Sequence, residues 1–290
     1  MKQKVKTKES KRELYSDIEK RHEGFENQFN QDFIEGLPII IRMDGNNFSS
    51  FTEGLEEPFD MRLTNLMIET CKYAVELTNA RCGFVGSDEI TLALYAEDAK
   101  TQLYYNRKMR KILSILSGKV SVHFNKLLKD YMPEKVEDYP SFDCRAWNVP
   151  TLKEGCNAFL LRENSIYKNA ITMACMGNKV YSHKQIEGVN GKEKQEMLFK
   201  KGINFNDYPV EFKRGVYIQR RKFVKEGFDY SAEELANLPE KHHARTNPER
   251  VSEITEIKQL DMPIFSKVTN QEDVIFGGEE ALTDSDSEQV

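Results

Sequence analysis

The clearest patterning along the chain lies between Leu37 and Leu94. Leu37-Pro38-Ile39-Ile40-Ile41-Arg42-Met43-Asp44-Gly45 is an apolar, β-branched run that closes on an acid and a glycine. Such a run predicts a strand. From Asp60 to Thr78 the apolar residues Leu63, Leu66, Met67, Cys71, Ala74 and Val75 recur at threes and fours. That is the period of a core-facing helix, with Asp60 as its N-cap. Cys82 to Leu94 holds two short apolar runs joined at Ser87-Asp88-Glu89, and Gly86 with Ser87 opens a tight turn between them. A second helix is predicted over Leu103 to Leu128. Leu103, Met109, Ile112, Leu113, Leu116 and Val120 form one face, and Arg107, Lys108, Lys111, Ser114 and Ser117 form another. Tyr131 to Pro140 reads as a loop, and Phe142 to Val149 alternates as a fourth strand that Pro150 ends.

Strand, helix, hairpin, helix, strand is a βαββαβ order. It predicts an α+β, ferredoxin-like palm, an antiparallel sheet with helices on one face. The expected division is an N-terminal arm or helix over 1–36 and the palm over 37–150. A helical and β C-terminal region over 151–275 packs on the palm, and an acidic, disordered tail covers 276–290. In the third part, Leu152 to Met176 is a long helix with one apolar side, and Ser182 and Gly191 open shorter ones. Val216 to Val224 is a basic strand, 225–250 a charged loop, and Val251 to Ile257 a short strand.

Composition narrows the class. The 290 residues are 39% hydrophobic and 31% charged, enough for a core under a very charged surface, and the net charge is −5. Five scattered cysteines without C-x-x-C spacing read as reduced core thiols rather than a disulfide framework or zinc site. A charged N-terminus and the lack of any long apolar run predict no signal peptide and no membrane, hence a cytoplasmic protein. His242-His243 has no third ligand at zinc-like spacing and reads as loop.

The chemistry is expected where the strands end. In a βαββαβ unit the first strand and the hairpin lie side by side, so Asp44 can face Asp88. Two carboxylates beside the Gly45 carbonyl make an oxygen-rich cage suited to Mg2+. Alone, an Asp-Gly after a strand or an acid at a hairpin tip is an ordinary turn; together they point to a metal site.

At this point the chain resembles the tRNA-histidine guanylyltransferase family with its wider group of 3′-to-5′ polymerases. The blocks that carry the resemblance are Arg42-Met43-Asp44-Gly45-Asn46-Asn47-Phe48, Pro58-Phe59-Asp60-x-Arg62-Leu63 and Gly86-Ser87-Asp88-Glu89-Ile90-Thr91-Leu92. The basic helix Asn106 to Ser117, Phe142-Asp143-x-Arg145 and a later segment from Glu196 to Gly215 follow in order. The resemblance implies two-metal nucleotidyl transfer: ATP or GTP activates an RNA 5′ end, and a nucleotide 3′-OH then attacks it. It implies tRNA or another structured RNA as partner and a homotetramer, a dimer of dimers.

Carried over by residue, Asp44 and Asp88 would bridge two Mg2+ ions with the Gly45 carbonyl. Glu89 would support them, its side chain turned the other way along the strand. Asn46, Asn47, Phe48 and Ser87 would meet the nucleotide, while Arg107, Lys111, Ser114 and Ser117 would hold its triphosphate. Asn164, Tyr167, Lys213, Arg214, Arg220 and Arg221 would contact RNA. Two departures stand out. Arg162-Glu163-Asn164-Ser165-Ile166-Tyr167 occupies the place of the family's His-Ile-Asn-Asn-Leu-Tyr, and Glu57 is acidic where relatives carry Lys or Arg. Both favour template-dependent repair of 5′-truncated tRNA over untemplated guanylylation of tRNA-His. The alternatives are a palm-type nucleotide cyclase or dinucleotide synthase, and a non-catalytic RNA-binding protein.

Overall fold

A computed structural model describes residues 2–98, 100–177, 180–226, 230–247 and 251–284. As far as Arg214 the described α-helices are α1 (Lys2–Asn27), the single turn α2 (Phe48–Phe51), α3 (Met61–Thr78), α4 (Met109–Tyr131), α5 (Leu152–Met176), α6 (His183–Ile186), α7 (Gly191–Phe199) and α8 (Val210–Arg214). Six strands, β1 (Ile39–Asn46), β2 (Cys82–Gly86), β3 (Glu89–Leu94), β4 (Ser141–Asn148), β5 (Val216–Glu226) and β6 (Val251–Gln259), form one sheet in the order β4-β1-β3-β2-β5-β6. Every neighbouring pair is antiparallel. The α+β palm expected from the sequence is therefore present, and β5 and β6 continue its sheet. No helix among the described residues is long and apolar enough to cross a membrane.

Strand alternation divides the side chains of β1 between two layers. Ile39, Ile41 and Met43 enter a core with Leu66, Met67 and Cys71 of α3 and Ile112, Leu116 and Phe124 of α4. Ile40 enters a second core with Phe84, Ala93, Phe159 and Ile166 of α5, and Phe265 and Val274 to Phe276 from the C-terminal stretch. Thus α3 and α4 cover one face, while α5 and the C-terminal residues cover part of the other. Asp60 caps α3 as its spacing predicts, accepting from the Arg62 amide at 2.9 Å. Thr151 does the same for α5 at 3.1 Å from the Glu154 amide.

Three expectations change. The second palm helix begins at Met109 rather than Leu103, because Tyr105, Asn106 and Arg107 turn left-handed at φ 47, 50 and 64°. Distant backbone fixes that start: Phe33 donates to the Arg107 carbonyl at 2.9 Å, and Met109 donates to that of Gln31 at 3.1 Å. The stretch read as charged loop contains two short helices, Ala232–Asn237 and His243–Thr246. Finally, the tail expected to be disordered from 276 is held as far as Asp284. Val274, Ile275 and Phe276 are buried, Thr269 donates to the Leu282 carbonyl at 2.9 Å, and the Arg221 guanidinium donates to the carbonyls of Gly278 and Glu279. Residues 285–290 lie outside the described residues.

Candidate active site

The site grows from the β2–β3 hairpin. Gly86 pairs with Glu89, leaving Ser87 and Asp88 as a two-residue tip, and Ser87 takes the positive φ of 54° that such turns require. The Gly45 amide donates to the Asp88 carbonyl at 3.1 Å, tying the tip to the end of β1. Gly86 also permits close cover: a Cβ there would meet Ile166 of α5 at 2.6 Å.

Register then sets a row of three acids on one face. Asp44 lies opposite Glu89 on one side and Asp143 on the other, and directly opposed residues share a face. Behind them runs a second row, Arg145, Arg42 and Thr91. The outer acids are compensated. Arg145 sits 2.6 Å from Asp143. Glu89, with a side chain only 8% exposed, lies 2.8 Å from Arg162 of α5 and 3.8 Å from Arg42. These are charge contacts rather than aligned hydrogen bonds, since both arginine Nε atoms lack a hydrogen-bond partner. Burial pushes the Glu89 carboxyl up, and Arg162 and then Arg42 pull it back.

The middle acid differs. Among the described residues neither Asp44 nor Asp88 has an ion-pair partner. Burial raises the Asp88 carboxyl above its usual range and the nearby charge of Asp44 adds to the effect, opposed by its own amide and the Ser87 hydroxyl. Two oxygen-bearing groups left short of positive charge are the donor chemistry that a hard divalent cation satisfies. No cluster of three or more acid, histidine or cysteine side chains is poised for a metal among the described residues. The fit is therefore two carboxylates completed by main-chain oxygen, because Glu89 is held by arginine. Beside the tip opens a cavity of about 610 Å³, lined by Ser87, Asp88, Phe59, Met67, Ile166 and Met173 among others.

A profile described as tRNAHis guanylyltransferase (Thg1) matches residues 19–150. An uncharacterized protein of Acanthamoeba polyphaga mimivirus is 30% identical over 207 residues, covering 63% of this chain and 70% of that protein. The tRNA(His) guanylyltransferase of Debaryomyces hansenii is 29% identical over 209 residues, 67% and 77% of the two chains. A bacterial Thg1-like protein solved with ATP superposes with a TM-score of 0.65 at 33% identity, over 70% of this chain and 87% of that one. The chain belongs to the tRNAHis guanylyltransferase family. The structure of a bacterial Thg1-like protein with GTP gives a TM-score of 0.63 at 26% identity, over 87% and 94%. Membership makes the chain a nucleotidyltransferase.

The guanylyltransferase fold sorts the remaining residues expected at the site. Asn46 and Asn47 are exposed at the end of β1, and Ser87 lines the cavity. Phe48 is buried, its ring tilted against Phe51, Phe124 and Phe142, and it lines the same cavity. Glu89 lies opposite Asp44 and shares its face. The triphosphate stripe is corrected more deeply. α4 packs on the face that Met43 enters, opposite to Asp44. Arg107 pairs with Glu35 at 3.1 Å, and its carbonyl holds Phe33 near the far end of the strands. The Ser114 hydroxyl donates to the Arg110 carbonyl at 2.7 Å and that of Ser117 to Phe142 at 2.6 Å, so neither proton is left for phosphate. Lys111 remains exposed.

Most of the six RNA candidates are engaged by other groups of the chain. Asn164 is exposed, whereas the Tyr167 hydroxyl accepts from Gln195 at 2.6 Å. Lys213 donates to the Asn206 carbonyl at 2.6 Å, and Arg214 pairs with Glu163 at 3.6 Å. Arg221 is spent on the C-terminal carbonyls, and Arg220 is half-buried on the other side of the strand. Sequence reasoning missed the roles of Arg42, Asp143, Arg145 and Arg162. Arg42 and Arg145 carried a signal, since each lies on a strand two residues from an acid, Asp44 and Asp143 respectively. Arg162 carried none, because only the crossing of α5 over the sheet brings it to Glu89.

Proposed function

We propose that this chain is a Mg2+-dependent 3′-to-5′ nucleotidyltransferase that adds nucleotides to the 5′ end of tRNA after activation by ATP or GTP. The observation that carries the reading is the Gly45–Asp88 backbone bond, which brings together two carboxylates that have no ion-pair partner among the described residues. Asp44, Asp88 and the Gly45 carbonyl would hold the ions. A bound pair of Mg2+ ions supplies neutralisation of phosphate oxygens and a lowered pKa for the attacking hydroxyl. The cavity beside Ser87 and Asp88 seats the nucleoside, and its cover by α5 keeps water out. Arg42 and Arg162 hold Glu89 in place, so that Asp44 alone projects from the middle of the acid row. The ATP and GTP complexes of the bacterial Thg1-like protein support nucleotide as substrate.

Catalysis belongs to the palm, 37–150, with the arm, the C-terminal region and the tail accessory to it, in a cytoplasmic homotetramer. Arg162 and Glu57, where relatives differ, favour repair of 5′-truncated tRNA over guanylylation of tRNA-His. The test supplies full-length tRNA and 5′-shortened tRNA, each with all four nucleotides, and sequences the products. Restored pairing on the shortened tRNA is expected, and a single added G on intact tRNA-His would reverse the substrate choice. Asp44→Asn and Asp88→Asn should each lower incorporation of labelled nucleotide on the order of 10²–10³-fold, as loss of a transition-state charge contact does. Full activity in both variants would overturn the metal assignment.

A further inference from the structure

The acid row can be approached from two sides that differ in shape. The cavity lies on one, and none of its lining residues comes from β4. On the other side β4 is the edge strand, and its side chains alternate. Phe142, Cys144 and Ala146 turn into the core that α4 covers, while Asp143, Arg145 and Trp147 are exposed on the face of Asp44. Register sets Arg145 opposite Arg42 and Trp147 opposite Ile40.

Trp147 is the sole tryptophan of the chain and is 38% exposed. Among the described residues it stacks on no other ring, and its indole N–H donates to nothing. Between it and the acids runs the arginine rung. Arg145 is tied to Asp143 at 2.6 Å, but Arg42 makes no hydrogen bond among the described residues and meets Glu89 only at 3.8 Å. Its terminal N–H groups are uncommitted donors of the kind that fork onto phosphate. The strip thus runs from acid through arginine to aromatic over the four residues from Asp143 to Trp147, about 13 Å. An aromatic on an open sheet face beside arginines is the arrangement on which single-stranded bases stack. A free nucleoside is held by walls on several sides, as the cavity provides, whereas an open ledge suits a chain that passes on beyond it. We infer that Trp147 is the stacking platform for a base at the RNA end being extended, with Arg42 and Arg145 taking a neighbouring phosphate. The inference rests on the proposed function and deepens it: the cavity receives the nucleotide and the open strip of β4 receives the RNA.

The experiment uses the full chain, whose one tryptophan makes intrinsic fluorescence a report from this strip. Adding 5′-shortened tRNA without nucleotide, so that no reaction runs, should quench the emission saturably, while GTP or ATP alone should leave it unchanged. In steady-state incorporation, Trp147→Ala should raise KM for tRNA roughly 5- to 150-fold and leave KM for GTP as it is. Trp147→Phe, which keeps a π face, should recover most of that loss. Trp147→Leu, which keeps only an apolar cover over Ile40, should not. Circular dichroism confirms that each variant folds. Emission that stays constant while a gel shift shows tRNA bound overturns the inference and leaves the nucleotidyltransferase reading standing, as does a Trp147→Leu protein with the wild-type KM. Quenching by GTP alone would give the platform to the nucleotide, and emission that follows protein concentration but not tRNA would give it to a second copy; either overturns the inference. A protein that binds no tRNA in the gel shift overturns both readings. Quenching by tRNA in a protein that incorporates no nucleotide would sink the reaction and keep the platform.

Discussion

Asp44 and Glu163 are acids on elements that face one another, yet the chain treats them oppositely. Glu163 of α5 is buried and fully answered: it accepts from the Tyr217 hydroxyl at 2.9 Å and the Phe265 amide at 3.1 Å, with Arg214 at 3.6 Å. Asp44 lies between two other acids that each pair with an arginine, and among the described residues it has no ion-pair partner. A fold that needed only stability would neutralise all of them, because an uncompensated carboxylate away from water is costly. The difference separates acids that hold elements together from acids kept for something that arrives from outside.

That contrast can be broken most forcefully at Glu163. Glu163→Ala leaves a buried hydroxyl, an amide and a guanidinium without their partner, and should cost about 3 kcal/mol in a denaturant titration. A loss no larger than that of a surface substitution would erase the distinction from the structural side. Arg162→Ala should cost less, about 1–2 kcal/mol, since Arg42 remains beside Glu89; Arg162→Lys should recover part of it. The smallest effect has the opposite sign. Burial raises the Asp88 carboxyl, so its stabilising contribution is whole only while it is protonated and is lost as pH rises through that raised value. In the presence of chelator, Asp88→Asn should therefore melt about 1–2 °C higher than wild type at neutral pH. The advantage should vanish below the ordinary carboxylate range. A lower melting temperature at neutral pH would place Asp88 with Glu163.

Much of this was legible in the residues. Ile39 to Ile41 announces a strand with both faces covered, and Gly86-Ser87-Asp88 announces the tight tip, so the placing of Asp44 beside Asp88 follows from pattern and turn chemistry alone. What stayed hidden depends on partners far away in sequence. The start of α4 is set by Gln31 and Phe33. Helical spacing put Ser114 and Ser117 on a common side with Arg107, but Arg107 lies before the helix begins at Met109; nor can spacing say against which layer a helix lies, or that carbonyls will claim the hydroxyl protons. Glu163 and Tyr217 likewise give no sign of one another until α5 crosses β5.

Gly86 joins these regions through a single missing methyl. With Ile166 of α5 seated where a Cβ would stand, the helix rests directly on the hairpin. Arg162, one turn earlier on that helix, is thereby levelled over Glu89, and Met173, further along, becomes a wall of the cavity. The glycine acts as a shim of zero thickness: insert even an alanine, and the height of the helix, the grip on the acid row and the width of the cleft would all change at once.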